Sequence, residues 1–346
     1  MNKRIVCIAL CLLMAGGLFG CAAPQEKHTA DYWELFDTAS SITVYGRTDA
    51  QFAAEEKELH RFLTEYHQLC DIYHDYDGLV NLKAVNDAAG QPVTVDARLI
   101  DLLTYGLDAY RQTDGRVNIM LGSVLVLWHE CREAATENPD AATLPDDAAL
   151  HAAAAHTAID SLIIDRAAGT VQITDPLARL DVGAIAKGYV TERAAEYARD
   201  TLGWTSALLN IGGNIRAIGK KPGDKPFTVG IQNPDTSSAK TYVDTVSLCD
   251  AAAVTSGDYQ RFFTVDGVRY GHIIDKDTLY PARYMRSVSI VCADSALADV
   301  LSTALFSMPV EEGLSLLAHF DGAAVYVTTD GTVRYSPGFD GKGTGL

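Results

Sequence analysis

Positive charge is scarce in this sequence. Its 346 residues contain 28 Lys and Arg against 45 Asp and Glu, which gives a formal net charge of −17. A surface this acidic repels nucleic acid and anionic lipid headgroups. The composition therefore predicts a protein that does not bind DNA or RNA.

Closely spaced metal-binding and redox motifs are also missing. Cys70, Cys131, Cys249 and Cys292 lie far apart, without the CxxC spacing of zinc or redox sites, so disulfides and buried free thiols both remain open. The pair His129-Glu130 lacks the second histidine of a zinc protease motif, and "NIGGN" (210–214) lacks GxGxxG spacing. Neither a zinc protease nor a Rossmann dinucleotide site is indicated.

A long apolar run occurs at the N-terminus. Lys3 and Arg4 precede apolar residues from Ile5 to about Phe19, and Cys21 follows in "LFGC". Residues 1–20 are therefore predicted to be a lipoprotein signal peptide, with Cys21 as the lipidated residue; an uncleaved anchor is the less favoured alternative. Residues 21–34 are predicted to be a polar tether, which places the rest outside the cytoplasm, lipid-anchored to a bacterial membrane.

Apolar periodicity predicts a mixture of hairpins and helices after the tether. The spacing predicts helices over 51–73 and 97–112, the second capped by Asp96. Residues 75–95 favour a loop and a short strand, 124–131 a buried segment of undefined type, and 132–158 variable surface structure. Further helices are predicted up to about Leu202 and over 295–308 and 311–320, and strands or hairpins over 40–46, 161–174, 206–219, 227–233, 242–248, 261–275, 287–293 and 323–336. Without a steady βαβ rhythm, this order favours one α+β domain over 35–346, two-lobed and mostly antiparallel.

Two polar groups interrupt apolar segments near the C-terminus. Asp299 and Thr303 are four residues apart in a predicted helix, so their oxygens share a face and suit a hard cation such as Mg²⁺. An ordinary surface Asp and a Thr bonded to its own helix would give the same pattern. His272 lies at the end of a predicted strand, where histidine could act as a general base.

Glycine-rich or hydroxyl-rich turns complete the set of candidate sites. "TSGD" (255–258) is predicted to be a turn whose hydroxyls and amides, including Thr255, face a ligand, although an ordinary Asx or ST turn would look the same. "LDVGAIAKGYV" (180–190) is predicted to be a turn into a helix, where small residues let the chain approach a ligand closely.

Five segments in one order resemble the ApbE family of FAD:protein FMN transferases. They are "LDVGAIAKGYV", "ALLNIGGNIRAIG", "AVTSGDYQRFF", "HIIDKDTLYPA" and "ADVLSTALF", and the resemblance extends from about Leu35 to Tyr335. It implies Mg²⁺-dependent transfer of FMN from FAD to a Thr or Ser of a target flavoprotein with a Ser/Thr-Gly-Ala-Thr motif, releasing AMP. Many members are lipoproteins, which agrees with Cys21.

The resemblance also implies roles for individual residues. Ala184 (through its carbonyl), Asp299 and Thr303 match the metal ligands, and His272 matches the histidine of the HxxD motif. The FAD contacts implied by position are Tyr76, Arg116, Val117, Asn118, Asp181, Lys187, Thr255, His272 and Ile273. Three positions depart from the family pattern: Asn118 replaces an Asp, and Lys276 and Leu279 replace a Pro and a Gly.

Two other functions use the same residues differently. A Mg²⁺-dependent FAD pyrophosphatase would use water as the acceptor and give FMN and AMP. A lipoprotein that only stores flavin would need neither His272 nor the pair Asp299 and Thr303, so their joint presence argues against it.

Overall fold

The computed structural model describes residues 26–339, so the predicted signal peptide and Cys21 lie outside the described part. Its α-helices are α1 (Asp49–Cys70), α2 (Leu82–Asp87), α3 (Ala97–Gln112), α4 (Gly122–Glu137), α5 (Asp147–Ala154), α6 (Ala186–Asp200), α7 (Ser295–Phe306) and α8 (Val310–Leu317). Its strands are β1 (Lys27–Tyr32), β2 (Ser40–Tyr45), β3 (Val93–Thr94), β4 (Leu162–Asp165), β5 (Thr170–Ile173), β6 (Ser206–Ile211), β7 (Asn214–Gly219), β8 (Phe227–Gln232), β9 (Tyr242–Leu248), β10 (Ala252–Gly257), β11 (Phe262–Val265), β12 (Val268–Gly271), β13 (Met285–Cys292), β14 (Gly322–Thr328) and β15 (Val333–Tyr335).

An antiparallel sheet of eight strands organises the molecule. Its order is β1-β2-β6-β7-β10-β13-β14-β15, and each neighbouring pair is antiparallel. The hairpins β8–β9 and β11–β12 and the three strands β3-β5-β4 form smaller sheets. The predicted α+β class with mostly antiparallel sheets is confirmed.

The two faces of the large sheet are covered by different structures. Helices α1, α3, α6 and α7 contribute to the main core on one face, around Leu63, Leu103, Val190 and Leu301. The hairpin β8–β9 covers the other face with Phe227, Val229 and Val246. Helix α4 and the β11–β12 hairpin enclose a smaller third core around Trp128, and the candidate site lies between this third core and the main one.

Several predictions made from the sequence need correction. Residues 27–32 of the predicted tether are strand β1, whose inward side chains are His28 and Tyr32. They are polar, but the His28 Nε2 bonds to the Arg47 carbonyl at 2.7 Å and the Tyr32 hydroxyl donates to Glu56 at 2.6 Å, so burial leaves these groups satisfied. Likewise, 82–87 is a short helix within a predicted loop, because the Asn81 side chain caps it.

The third correction concerns 124–131, which lies in helix α4 and not in a segment of undefined type. Its Trp128 is buried against the β11–β12 hairpin, so the helix is apolar on more sides than a surface helix.

Cys70, Cys131, Cys249 and Cys292 are free thiols. Within residues 26–339, no helix combines the length and apolarity needed to cross a bilayer.

Candidate active site

A cavity of about 660 Å³ opens between the main core and the third core. Segments that are distant in sequence line it: the chain around 36–38, the turn 71–76, the segment 116–118, helix α4, the start of α6, the end of β10 and the segment 272–274. Every residue that the sequence predicted for the FAD or metal site lies on its wall: Tyr76, Arg116, Val117, Asn118, Asp181, Ala184, Lys187, Thr255, His272, Ile273, Asp299 and Thr303.

Asp299 is held by the start of helix α6. Its side chain is 3% exposed, and one carboxylate oxygen accepts the backbone N–H of Gly188 at 2.7 Å. A Cβ on Gly188 would lie 2.3 Å from the Asp299 Cβ, so only glycine allows the two helices to approach this closely. Burial raises the pKa of Asp299, although the nearby Lys187 charge acts in the opposite direction.

The Gly188 bond also affects the carbonyl of Ala184. In a regular helix start the Gly188 N–H would donate to the carbonyl four residues earlier, but here it donates to Asp299. Within the described residues, no backbone or side-chain donor bonds to the Ala184 carbonyl. This carbonyl on the cavity wall is therefore available to a ligand.

Hydroxyl groups from β10 and α7 line the same part of the cavity as Asp299. The Ser256 Oγ lies 2.9 Å from the Ser302 Oγ and 3.4 Å from the Thr303 Oγ1. Thr255, predicted in a turn, lies within β10, and its hydroxyl bonds to Ser289 at 2.7 Å. The predicted turn over 255–258 is wrong at 255–257, because these residues continue β10 and pair with Ser289, Val288 and Ser287 of β13.

This donor set fits a hard divalent cation. A buried carboxylate with a single N–H bond is costly unless a cation compensates its charge. The Asp299 carboxylate, the Thr303 hydroxyl and the free Ala184 carbonyl are all oxygen donors, which Mg²⁺ prefers over nitrogen or sulfur. The predicted metal ligands are thus compatible with Mg²⁺.

His272 lies at the end of strand β12, on the cavity wall. Its Nδ1 lies 3.2 Å from the Arg261 carbonyl, and because a carbonyl only accepts, Nδ1 carries the proton. The Nε2 of the neutral ring then has a lone pair. Burial, with the positive charges of Lys187 and Arg261, lowers the pKa of His272 to about 3, so the ring is neutral at physiological pH.

Among residues 26–339, four cationic side chains line the cavity: Arg116, Arg132, Lys187 and Arg261. Arg116 pairs with Asp277 at 2.9 Å and lies 3.6 Å from the buried Asp275, the last residue of the HxxD motif. Lys187 makes no ion pair with any carboxylate within the described residues, so its charge is available to an anionic ligand.

Asp181 and Asn118 differ in the hydrogen bonds that their side chains already make within the protein. Asp181 accepts the Gly183 N–H at 2.7 Å, and burial raises the pKa of this carboxyl. Asn118 donates to the Thr157 carbonyl at 3.0 Å and accepts the Met120 N–H at 2.9 Å. Its side chain therefore shapes the cavity wall, and Val117 beside it is buried.

Two tyrosines lie in the turn 71–76, and the sequence pointed to one of them. Tyr76 donates its hydroxyl to Asp71 at 2.7 Å. Tyr73 is 48% exposed, lines the cavity and stacks on His129 with ring centroids 4.7 Å apart. Both rings are therefore placed to contact an aromatic ligand.

Sequence reasoning missed Tyr73, His129, Arg132 and Arg261 on the cavity wall. Arg132 donates to the His129 Nδ1 at 2.7 Å, and burial together with that guanidinium lowers the pKa of His129. His129 and Arg132 belong to stretches that were predicted as undefined or variable surface structure, whereas Tyr73 and Arg261 fall in a predicted helix and a predicted hairpin. A helix assignment from Gly122 to Glu137 would have placed His129 and Arg132 near one face, three residues apart.

Comparisons with known proteins agree with this geometry. The ApbE family model matches residues 36–327. The chain is 34% identical to an FAD:protein FMN transferase from Treponema pallidum, covering 96% of this chain and 92% of the relative. It is 32% identical to an FAD:protein FMN transferase from Klebsiella pneumoniae, over 70% of this chain and 73% of the relative.

Solved structures give the same result at the level of the fold. The ApbE protein from Thermotoga maritima superimposes with a TM-score of 0.80 at 27% identity, covering 91% of this chain and 98% of that one. The flavin transferase ApbE from Vibrio cholerae superimposes with a TM-score of 0.76 at 25% identity, covering 91% and 99%. The predicted family is confirmed: this chain belongs to the ApbE family.

Proposed function

We propose that this protein transfers FMN from FAD to a Thr or Ser hydroxyl of a target flavoprotein and releases AMP. One observation carries the proposal. A single cavity brings together a neutral imidazole, a buried carboxylate with neighbouring hydroxyls, and cationic side chains. Relatives named as FAD:protein FMN transferases support it.

The reaction exchanges the phosphoanhydride bond of FAD for a phosphoester bond to the acceptor. The acceptor hydroxyl oxygen attacks the phosphorus on the FMN side of the FAD diphosphate, and the bond from that phosphorus to the bridging oxygen breaks. AMP leaves with the bridging oxygen and the electron pair of the broken bond. The acceptor proton moves to the Nε2 of His272, which has the free lone pair to receive it.

Asp299, Thr303 and the Ala184 carbonyl would hold Mg²⁺, which when bound withdraws negative charge from the diphosphate. Lys187 adds a positive charge from the protein itself, unopposed by an ion pair within the described residues. Because phosphoryl transfer depends largely on positioning and charge, these residues account for the main demands of the reaction.

The substrate is expected to lie along the cavity wall. Tyr76 and Tyr73 offer rings to the isoalloxazine or adenine system, and Asp181 offers a carboxyl group to a polar donor of FAD. A ring that retains the flavin favours transfer over simple hydrolysis, since FMN must stay bound until the acceptor reacts.

A direct assay tests the activity. The protein is mixed with FAD, Mg²⁺ and a flavoprotein fragment that carries a Ser/Thr-Gly-Ala-Thr motif, and intact mass is recorded. We expect a covalent FMN increment on the fragment, equimolar AMP, and no increment with His272→Gln. An acceptor fragment with its final Thr replaced by Val is the matched control.

The same assay separates the other two functions. Free FMN and AMP without labelling would indicate a pyrophosphatase, and bound FAD without turnover would indicate storage. Either result overturns the transferase proposal.

We also propose that the mature protein is anchored outside the cytoplasm through lipid on Cys21. The support is the sequence of residues 1–21, a charged start and an apolar run ending at "LFGC". Labelling cells with a fatty acid analogue should mark the protein, whereas Cys21→Ser should abolish the label; equal labelling of both would refute the anchor.

A further inference from the structure

The cavity wall at residues 36–38 has an uncommon backbone. Phe36 and Asp37 are consecutive non-glycine residues with φ of 54° and 53°, a left-handed region that side chains disfavour. Such conformations persist where the surroundings hold them, and they concentrate at functional sites. Both residues line the cavity.

Arg261 is one of the groups that hold this backbone. Its Nη2 donates to the Phe36 carbonyl at 3.0 Å and lies 3.3 Å from the Asp37 carbonyl. The two partners are more than 220 residues away in sequence, so a single guanidinium connects the chain before β11 to the chain before β2. His67 supports the same turn from α1 by accepting the Phe36 N–H at 3.2 Å.

The backbone of Arg261 contacts His272. The Arg261 carbonyl accepts the His272 Nδ1–H at 3.2 Å. This bond continues the pairing of the β11–β12 hairpin, in which Phe262 faces Gly271. Where the Arg261 backbone lies therefore decides which ring nitrogen of His272 keeps its proton and which nitrogen presents a lone pair.

We propose that Arg261 is a positioning residue that selects the Nδ1–H tautomer of His272. Its side chain is held by the Phe36 and Asp37 carbonyls, and its own carbonyl, in the register of the β11–β12 hairpin, accepts the His272 Nδ1–H. The guanidinium acts on the acceptor proton through His272, without touching the reacting atoms. The consequence for transfer rests on the proposed function, whereas the tautomer itself does not.

The charged groups around His272 come from three elements. Lys187 lies in α6, Arg132 in α4 and Arg261 before β11, and all three disfavour a second proton on the ring. The pKa of His272 is thus lowered by several groups, but within the described residues only Arg261 provides the hydrogen-bond acceptor on Nδ1.

Nitrogen NMR of the histidine rings tests the proposal. Protein labelled with ¹⁵N-histidine is recorded at neutral pH, and the His272 ring is assigned from the signals lost in His272→Gln. In the unmodified chain we expect a protonated Nδ1 and an unprotonated Nε2. In Arg261→Gln we expect both ring shifts to move toward their mean, as the two tautomers mix.

Two further variants keep the result decisive. Arg269→Gln is the matched control, since Arg269 is an exposed arginine on the same hairpin, 4.2 Å above the Phe262 ring, and it should leave the His272 shifts unchanged. If Arg261→Gln does not fold, Arg261→Lys, which keeps the charge but loses the fork of donors, should show the same mixing to a smaller extent. Unchanged His272 shifts in a folded Arg261 variant, or an Nε2–H tautomer in the unmodified chain, would overturn the proposal.

A kinetic measurement distinguishes this proposal from the function itself. At saturating FAD, single-turnover transfer should fall about tenfold or more in Arg261→Gln, as expected for a disturbed general base. If the unmodified chain transfers no FMN, the proposed function fails while the tautomer result stands. Tautomer mixing with an unchanged transfer rate would overturn the positioning role.

Discussion

His272 and Asp299 experience burial in opposite directions. Removal from water disfavours the charged form, which is the protonated form of a histidine and the deprotonated form of an aspartate. The pKa of His272 therefore falls to about 3, whereas the pKa of Asp299 rises. A neutral imidazole and a carboxyl that gains from a bound cation are what the proposed reaction needs from the two groups.

The depressed pKa of His272 predicts a specific loss of stability in acid. Between the unfolded value of about 6.5 and the folded value of about 3, the unfolded chain binds a proton that the folded chain does not. The contribution is fully present above pH 6.5 and is lost as pH falls through this window. From pH 7 to 5 the unmodified chain should lose about 1–2 kcal/mol more unfolding free energy than His272→Gln.

Denaturant titrations of both chains at pH 7 and pH 5 measure that difference. His319→Gln serves as the control, because His319 is an exposed histidine that does not line the cavity. Parallel pH dependences for the unmodified chain and His272→Gln would show that His272 is not held neutral.

Leu279 shows why residue-level rules are incomplete. The family pattern has glycine at this position, and from the sequence alone one sees only that leucine replaces it. The structure explains the glycine, because Leu279 has a φ of 61°. Here the leucine side chain is buried in the third core and its carbonyl accepts the Trp128 indole N–H at 2.9 Å, so packing compensates for the strained backbone.

At the level of elements, the sequence predicted most helices and hairpins but not how they meet. Periodicity located α6 and α7, and turn residues located the hairpins at 266–267 and 330–331. Strand β1 was not predicted because its buried side chains are polar, and their hydrogen-bond partners are distant in sequence. Contacts such as Gly188 with Asp299 depend on tertiary packing, which local patterns do not encode.

The contact between α6 and α7 predicts that Gly188→Ala is damaging. The added methyl would meet the Asp299 Cβ at 2.3 Å and the Ser295 carbonyl oxygen at 2.5 Å, so the helices must separate. We expect a loss of about 1–3 kcal/mol of unfolding free energy, typical of overpacking, and weaker metal binding as Asp299 moves. Chemical denaturation and titration with Mn²⁺ as a spectroscopic probe measure both effects.

Gly313→Ala is the matched control for that substitution. It lies in helix α8, where the nearest atom to an added Cβ is the Tyr326 hydroxyl at 3.2 Å, compared with 2.3 Å for the Asp299 Cβ at Gly188. We expect a small change in stability and normal metal binding. Equal effects of the two substitutions would mean that the α6–α7 contact has no special role.

At the scale of the whole molecule, the site depends on two cores meeting. Asp299 and Gly188 belong to helices of the main core, whereas Trp128 of α4 and the β11–β12 hairpin that precedes His272 belong to the third core. The order of motifs in the sequence identified the residues only through resemblance to a family. Their distances and the missed arginines follow from long-range contacts that the sequence does not reveal on its own.

Because one cavity would hold both ligands, Mg²⁺ and FAD should bind cooperatively. The diphosphate of FAD would add oxygen ligands beside Asp299, Thr303 and the Ala184 carbonyl, so each ligand should raise the affinity for the other by the same factor. We expect Mg²⁺ to tighten FAD binding at least about fivefold, corresponding to about 1 kcal/mol of coupling. Quenching of flavin fluorescence with and without Mg²⁺ measures this factor.

Asp299→Asn should remove the coupling while FAD still binds, and the control Asp140→Asn, at an exposed position, should retain it. Equal coupling in both variants would place the metal away from Asp299, and since the carboxylate would then be buried without its cation, the assignment of the site would have to be abandoned.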